Sequence, residues 1–229
     1  MGEKTRSQFA AVIFDKDGTL FDTESVFRSV AREQAGQLGY LITDEVHDRF
    51  IGGTVDNTRK VLLEVFGVAF PFDIFHEGCR ARMNAHHEAA VPMRSGAMSV
   101  LQHLVDRGIP LALATSARRP ETWQNLTAAG LIGHFKTIVT RDDVTFPKPH
   151  PEPYLLAARR LGVPPDRCLA VEDSVTGATS ALAAGMKTFL IPDHARTVTT
   201  SIPDAIVLSD LAALLTAVAK LTFSNGLTT

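Results

Sequence analysis

The sequence predicts an α/β protein built on an open parallel sheet, with a helical domain inserted directly after the first strand. Three observations predict it. Short, continuous apolar runs recur along the chain, and such runs suit strands buried on both faces. Helical stretches of ten or more residues separate most of them, which is the βαβ alternation of a parallel sheet. One stretch, from Thr23 to about Ala90, holds helical patterns and no strand.

The first run, Phe9 to Phe14 (FAAVIF), stops at the polar turn Asp15-Lys16-Asp17-Gly18-Thr19. Helical patterns then follow around 23–38, 43–51, 54–66 and 71–89. About 70 residues of helix exceed a single crossover connection, so 23–90 reads as an inserted domain between core segments 1–22 and 91–229. Beyond it, strand-like runs at Ile109–Ala114, Thr137–Val139, Cys168–Val171, Thr188–Ile191 and Ala205–Leu208 alternate with helices at Ala97–Asp106, Arg119–Ala129, Pro153–Leu161, Val175–Ala184 and Asp210–Leu221. There is no internal repeat and no low-complexity segment.

The chain's 229 residues suffice for one substantial α/β domain, or a core with a smaller insert. Hydrophobic residues at 45% and charged residues at 21% are ordinary globular usage, which argues against disorder. A formal net charge of −2 gives no general attraction to nucleic acid or to an anionic membrane, so a bound phosphate must be held by local groups. The two cysteines, Cys79 and Cys168, lie far apart without metal-ligand spacing and read as small buried residues. No secretory signal and no membrane span are visible, and a cytoplasmic location is expected. Oligomeric state is not legible.

In open parallel sheets, ligands bind beyond the carboxyl ends of the strands. The residues that follow each apolar run are therefore the informative ones. After the first run, Asp15 and Asp17 offer paired carboxylates, suited to a hard cation such as Mg²⁺ beside a phosphate. One aspartate can also attack phosphorus while the other handles the proton. Gly18 allows close backbone approach to an anion, and Thr19 adds a donor. The bland alternative is an acidic turn capping the next helix. After the second run, Thr115 and Ser116 can form a neutral phosphate cradle at a helix N-terminus, or can be ordinary N-caps.

Lys148 lies between Pro147 and Pro149, which stiffen its backbone so that one ammonium can aim at a fixed point. After Cys168–Val171 come Glu172, Asp173 and Ser174. Acidic groups at a buried strand end need a cation or donors nearby. Asp173 fits a Mg²⁺ ligand, Glu172 a direct or indirect one, and Ser174 a helix cap.

These segments, FDKDGTLFDTES at 14–25, LALATSA at 111–117, FPKPHPEPY at 146–154 and EDSVTGATSALAAGM at 172–186, resemble the haloacid dehalogenase-like hydrolases, specifically the phosphatases with an α-helical cap. The resemblance runs from about residue 9 to 215. It implies a Rossmann-like core and a four-helix cap. It implies Asp15 as nucleophile and Mg²⁺ ligand, Asp17 as acid/base and backbone-carbonyl ligand, and Thr115 as a phosphate ligand. Lys148 would stabilise charge, and Glu172 and Asp173 would serve the metal. An aspartate at 17 looks like phosphate-ester chemistry. Proline at 147, where the family commonly has glycine, leaves the local loop path open.

The expected activity is Mg²⁺-dependent hydrolysis of a small phosphorylated metabolite, such as a sugar phosphate or phosphoglycolate, through an aspartyl-phosphate. The alternative is a phosphosugar mutase of the β-phosphoglucomutase type. Phe27 and Val55 stand where such mutases commonly place a histidine and an arginine, which favours hydrolysis. A receiver domain is disfavoured because Asp-x-Asp follows the first strand, and a dinucleotide-binding module because no Gly-x-Gly-x-x-Gly follows any strand. The cap is expected to close over the site, with Gly52-Gly53 facing the substrate. His86-His87, Asp142-Asp143 and Arg118-Arg119 are read as solvated or turn residues, and Phe66, Phe70, Phe72 and Phe75 as cap core.

Overall fold

The computed structural model describes residues 9–50, 55–89, 91–192 and 202–223, with 86–89 described by backbone alone. Two compact units emerge: Met1–Phe21 with Pro92–Thr229, and Asp22–Val91.

The first unit is a sheet of six parallel strands: β1 (Ala11–Phe14), β2 (Leu111–Ala114), β3 (Thr137–Val139), β4 (Cys168–Glu172), β5 (Lys187–Leu190) and β6 (Ala205–Val207). Their order is β3-β2-β1-β4-β5-β6. This is the Rossmann-like order, in which the chain grows outward from β1 on one side and then returns to grow from β4 on the other. The crevice at that switch, between the carboxyl ends of β1 and β4, is where such sheets bind ligands. Every residue of β1, β2 and β4 is buried, which is why these runs read as continuous apolar stretches.

Helices α5 (Ala97–Asp106), α6 (Arg119–Ala128), α7 (Glu152–Leu161), α8 (Val175–Ala183) and α9 (Leu211–Ala219) belong to the same unit. Small strand residues Ala11, Ala112 and Ala170 let α7 and α8 settle close on one face, around Ile13, Tyr154 and Met186.

The second unit holds α1 (Thr23–Gln37), α2 (Asp44–Asp48), α3 (Val55–Phe66) and α4 (Phe72–Ala89). It has its own apolar core, centred on Val30, Ala31, Leu62, Phe70, Phe75 and Cys79, with Phe72 buried in it and Phe66 packed against it. Where α1 and α4 cross, the site for a side chain at Gly78 is filled by Gln34, so glycine there permits the approach.

Several boundaries differ from the expected ones for identifiable reasons. β1 starts at Ala11, not Phe9, because its neighbours begin at Leu111 and Cys168 and leave nothing to extend the ladder. Ala10 instead donates to the Arg167 carbonyl at 2.8 Å, and Phe9 bridges to Phe223. β2 starts two residues late, past Pro110, which has no amide proton to donate. β4 gains Glu172, paired with Leu190. The helix expected over 43–51 ends at Asp48. Both cysteines are free and buried, and burial pushes each thiol up to about 12. Among the described residues, no helix is long and apolar enough to cross a membrane.

Candidate active site

The loop after β1 is shaped by its own backbone. The Asp15 amide still donates to Val171 at 2.9 Å, holding this residue beside β4 for one more step. The Lys16 carbonyl then accepts from both Leu20 and Phe21, and the Gly18 amide donates to the Phe21 carbonyl at 2.9 Å. Gly18 turns the chain with φ +75°, a left-handed conformation that glycine adopts without strain. A Cβ there would stand 2.2 Å from Asp173 Oδ2, so glycine also leaves room for the carboxylate arriving from β4. The Gly18 carbonyl is held by the Arg94 guanidinium, which also donates to the Ile191 carbonyl at 3.3 Å.

Lys148 brings the strand ends together electrically. Its Nζ lies 2.6 Å from Asp15 Oδ1 and 2.5 Å from Glu172 Oε1, with all three side chains at least nine-tenths buried. Burial alone would lower the Lys148 pKa; Asp15 and Glu172 overcome it and hold the ammonium above the ordinary lysine range. Burial pushes the Asp15 carboxyl up to about 8, with Lys148 pulling it down and Glu172 and Asp17 pushing it further up. Glu172 is fixed on every side. Tyr154 Oη donates to its Oε1 at 2.6 Å, and the Asp173 amide and Ser174 hydroxyl both donate to Oε2 at 3.2 Å. Its side-chain neighbour on α8 is Gly177, where a Cβ would come within 2.1 Å of the carboxylate.

A cleft of about 190 Å³ opens at these strand ends, lined by Asp15, Asp17, Thr115, Ser116, Lys148 and Asp173, together with Ser174, Thr176 and Gly177. Thr115 is buried: its amide donates to Val139 and its hydroxyl accepts from the Ala117 amide at 3.0 Å. Ser116 is exposed at the rim. Asp173 Oδ1 accepts from the Thr19 hydroxyl at 3.3 Å. Asp15, Glu172 and Asp173 each bring one carboxylate oxygen within 4.8 Å of the other two.

Six of the eight residues singled out in the sequence thus share one cleft. The other two stand just behind it, Glu172 beneath Lys148 and Gly18 against Asp173. Sequence reasoning missed three supporting residues. Tyr154 carries the hydroxyl on Glu172, and it reads in sequence as one more apolar helix residue. Arg94 anchors the Gly18 carbonyl from a stretch without pattern. Lys16 lies inside the motif, yet its side chain is fully buried, with Nζ 2.9 Å from Glu121 and 3.1 Å from Asp17. A lysine between two aspartates was a visible signal, but its partner Glu121 is 105 residues away.

Other expectations separate. Asp142 and Asp143 do form a turn, with a capping box on Thr140; Asp143 is also buried, paired with Arg119 at 2.8 Å and Arg160 at 2.9 Å. Arg118 is exposed and loosely paired with Asp142 at 3.5 Å. Gly52-Gly53 and the side chains of His86-His87 lie outside the described residues.

Known proteins resemble this chain over most of its length. The family model described as haloacid dehalogenase-like hydrolase matches residues 12–191. YhcW of Bacillus subtilis is 36% identical over 80% of this chain and 83% of its own length. A phosphorylated carbohydrates phosphatase of Thermotoga maritima is 31% identical over 77% of this chain and 82% of its own length. Among solved structures, a HAD family hydrolase from Deinococcus radiodurans R1, with bound phosphate and sodium, superposes with TM-score 0.81 and 31% identity. It covers 95% of this chain and 100% of that one.

Proposed function

Because the chain belongs to the haloacid dehalogenase-like hydrolases, and is a phosphatase among them, we propose that it hydrolyses the phosphate monoester of a small metabolite through an aspartyl-phosphate on Asp15, with Mg²⁺ bound. A phosphorylated carbohydrate is the favoured substrate class, from the name of the Thermotoga maritima relative. The observation that carries the reading is the Asp15 carboxylate, 2.6 Å from the Lys148 ammonium, in a cleft shared with Asp17, Thr115 and Asp173.

The donor set fits the cation. Asp15, Glu172 and Asp173 offer hard oxygen ligands, which Mg²⁺ prefers. They bring three carboxylates against the single ammonium of Lys148, and burial opposes ionisation of Asp15. A divalent cation corrects that imbalance and favours the ionised nucleophile. Asp15 and Asp173, which line the cleft, would hold it with the Asp17 backbone carbonyl. Glu172, walled off behind Lys148, would act through that lysine and through its charge. When bound, Mg²⁺ neutralises charge on the transferring phosphoryl group.

Asp15 attacks phosphorus as the bond to the leaving oxygen breaks, and Asp17 gives its proton to that oxygen. Water then attacks the aspartyl-phosphate and gives a proton to Asp17. Inorganic phosphate leaves, and both carboxyl groups return to their starting states. Thr115, Ser116 and Lys148 bind the non-bridging oxygens, so positioning and electrostatics supply most of the rate. We assign this chemistry to the unit built on the sheet and substrate discrimination to Asp22–Val91, the cap.

The test is a screen of phosphorylated metabolites for release of inorganic phosphate with Mg²⁺ present. Asp15→Asn is expected to reduce turnover to background with the fold intact, and EDTA to stop the reaction until Mg²⁺ is restored. Near-normal turnover by Asp15→Asn, or a rate indifferent to EDTA, would sink the scheme. Interconversion of phosphosugar isomers with little phosphate release would instead identify a mutase.

A further inference from the structure

Lys16 sits between the two catalytic aspartates in sequence, yet its side chain is turned away from the cleft and is fully buried. A buried ammonium is costly unless it is paired, and here it has two carboxylate partners. Glu121, on α6, lies 2.9 Å away, and Asp17 Oδ1 lies 3.1 Å away. The pair with Glu121 ties the loop after β1 to a helix that follows β2, so the ammonium cannot shift without breaking a long-range contact. Asp17, in turn, presents two unlike oxygens. Oδ1 is buried and meets the Lys16 ammonium as an ion pair, without hydrogen-bond geometry, while the side chain as a whole is 34% exposed and Asp17 lines the cleft. With Oδ1 buried against Lys16, the exposure of this side chain lies with its other atoms.

We propose that the buried Lys16–Glu121 pair is a positioning device for Asp17: it fixes the carboxyl rotamer by holding Oδ1, so that Oδ2 meets the leaving oxygen of the substrate. This rests on Asp17 as the proton donor, as proposed above. Lys16 touches neither substrate nor phosphate; it acts through Asp17. A carboxyl group free to rotate about its χ angles would reach the donating geometry for only part of the time, and general acid catalysis falls with that fraction.

The device makes a prediction that a merely structural lysine does not. Proton donation matters most when the leaving oxygen is basic and little when it departs readily as an anion. Phenyl phosphate and p-nitrophenyl phosphate present nearly the same ring but leaving groups of different basicity, so substrate recognition largely cancels between them. The kcat/KM of wild type, Lys16→Met, Glu121→Gln and Asp17→Asn would be measured on both esters with Mg²⁺ saturating, since it reports formation of the aspartyl-phosphate, the step in which the leaving groups differ. General acid catalysis contributes about 10²–10⁴-fold. Lys16→Met is therefore expected to lose at least about tenfold more on phenyl phosphate than on p-nitrophenyl phosphate, with Asp17→Asn showing the same bias more strongly.

Equal loss on both esters in Lys16→Met, with Asp17→Asn biased, would overturn the positioning role while leaving Asp17 as the acid. Equal loss in Asp17→Asn would remove Asp17 as proton donor to the leaving oxygen and this proposal with it. Should Lys16→Met fail to fold, Glu121→Gln carries the test, since it keeps every residue of the loop. A bias of a few-fold towards phenyl phosphate supports the device; an unbiased loss, or none, refutes it.

Discussion

Gly177→Ala tests how firmly Glu172 is fixed. In an ordinary helix this change stabilises, because alanine is favoured over glycine by about 0.5–1 kcal/mol. Gly177 lies in the first turn of α8, but an added Cβ would stand 1.9, 2.0 and 2.1 Å from Oε1, Cδ and Oε2 of Glu172. A flexible carboxylate would swing aside. This one is fully buried and is held by Tyr154 at 2.6 Å and Lys148 at 2.5 Å. Moving it breaks both hydrogen bonds, each to a charged acceptor and worth about 1.5–3 kcal/mol.

Set against the helix gain, the expected net loss is about 2–5 kcal/mol. The assay is urea unfolding of wild type and variant, reading the midpoint at constant m. Gly36→Ala, exposed in α1 with nothing within 4 Å of the new Cβ, is the matched control and is expected to be neutral or stabilising. A Gly177→Ala protein as stable as wild type would refute the reasoning, because Glu172 would then be free to move. Catalysis should fall as well, since the displaced carboxylate no longer holds Lys148.

Two further perturbations probe other buried groups. Tyr154→Phe removes one hydroxyl from the Glu172 network without changing the ring, and should cost about 1.5–3 kcal/mol of unfolding free energy; an unchanged urea midpoint would mean that the hydroxyl contributes nothing. Asp143 titrates outside the cleft: burial raises its pKa, but the Thr140 hydroxyl and amide and the Arg160 guanidinium outweigh it and hold the carboxyl at about 2. A folded value below the ordinary 3.8 means the carboxylate stabilises the fold above that pH and loses its contribution as pH falls towards about 2. Asp143→Asn should therefore be destabilised at neutral pH and show a shallower loss of stability between those two values; an acid limb identical to wild type would remove Asp143 from the ledger of acid-sensitive groups.

Much of the site was legible because a parallel sheet makes strand ends predictable. Each apolar run marks a strand, its carboxyl end marks an edge of the cleft, and the residues just past four such runs are Asp15, Thr115, Glu172 and the approach to Lys148. The cap core was legible in part, since Phe72 and Phe75 stand three apart in α4 and, with Phe70 just before it, are buried together. The inserted helices followed from about 70 residues of helical pattern without a strand, whereas the Rossmann-like character of the core followed from resemblance.

The sequence alone determined which chemistries were available: carboxylates at 15, 17, 172 and 173, an ammonium at 148 and hydroxyls at 115 and 116. Local rules suffice for that, because propensity and apolar pattern act over a few residues. Only the tertiary structure decided which carboxylates face the cleft and which stand behind it. It turned Glu172 inward onto Tyr154 and Lys148, left Asp173 outward over Gly18, and sent Lys16 away from the cleft to Glu121. Those choices depend on pairings between residues up to 154 positions apart, where burial makes an unpartnered charge too costly to keep, and no pattern within a short window records them.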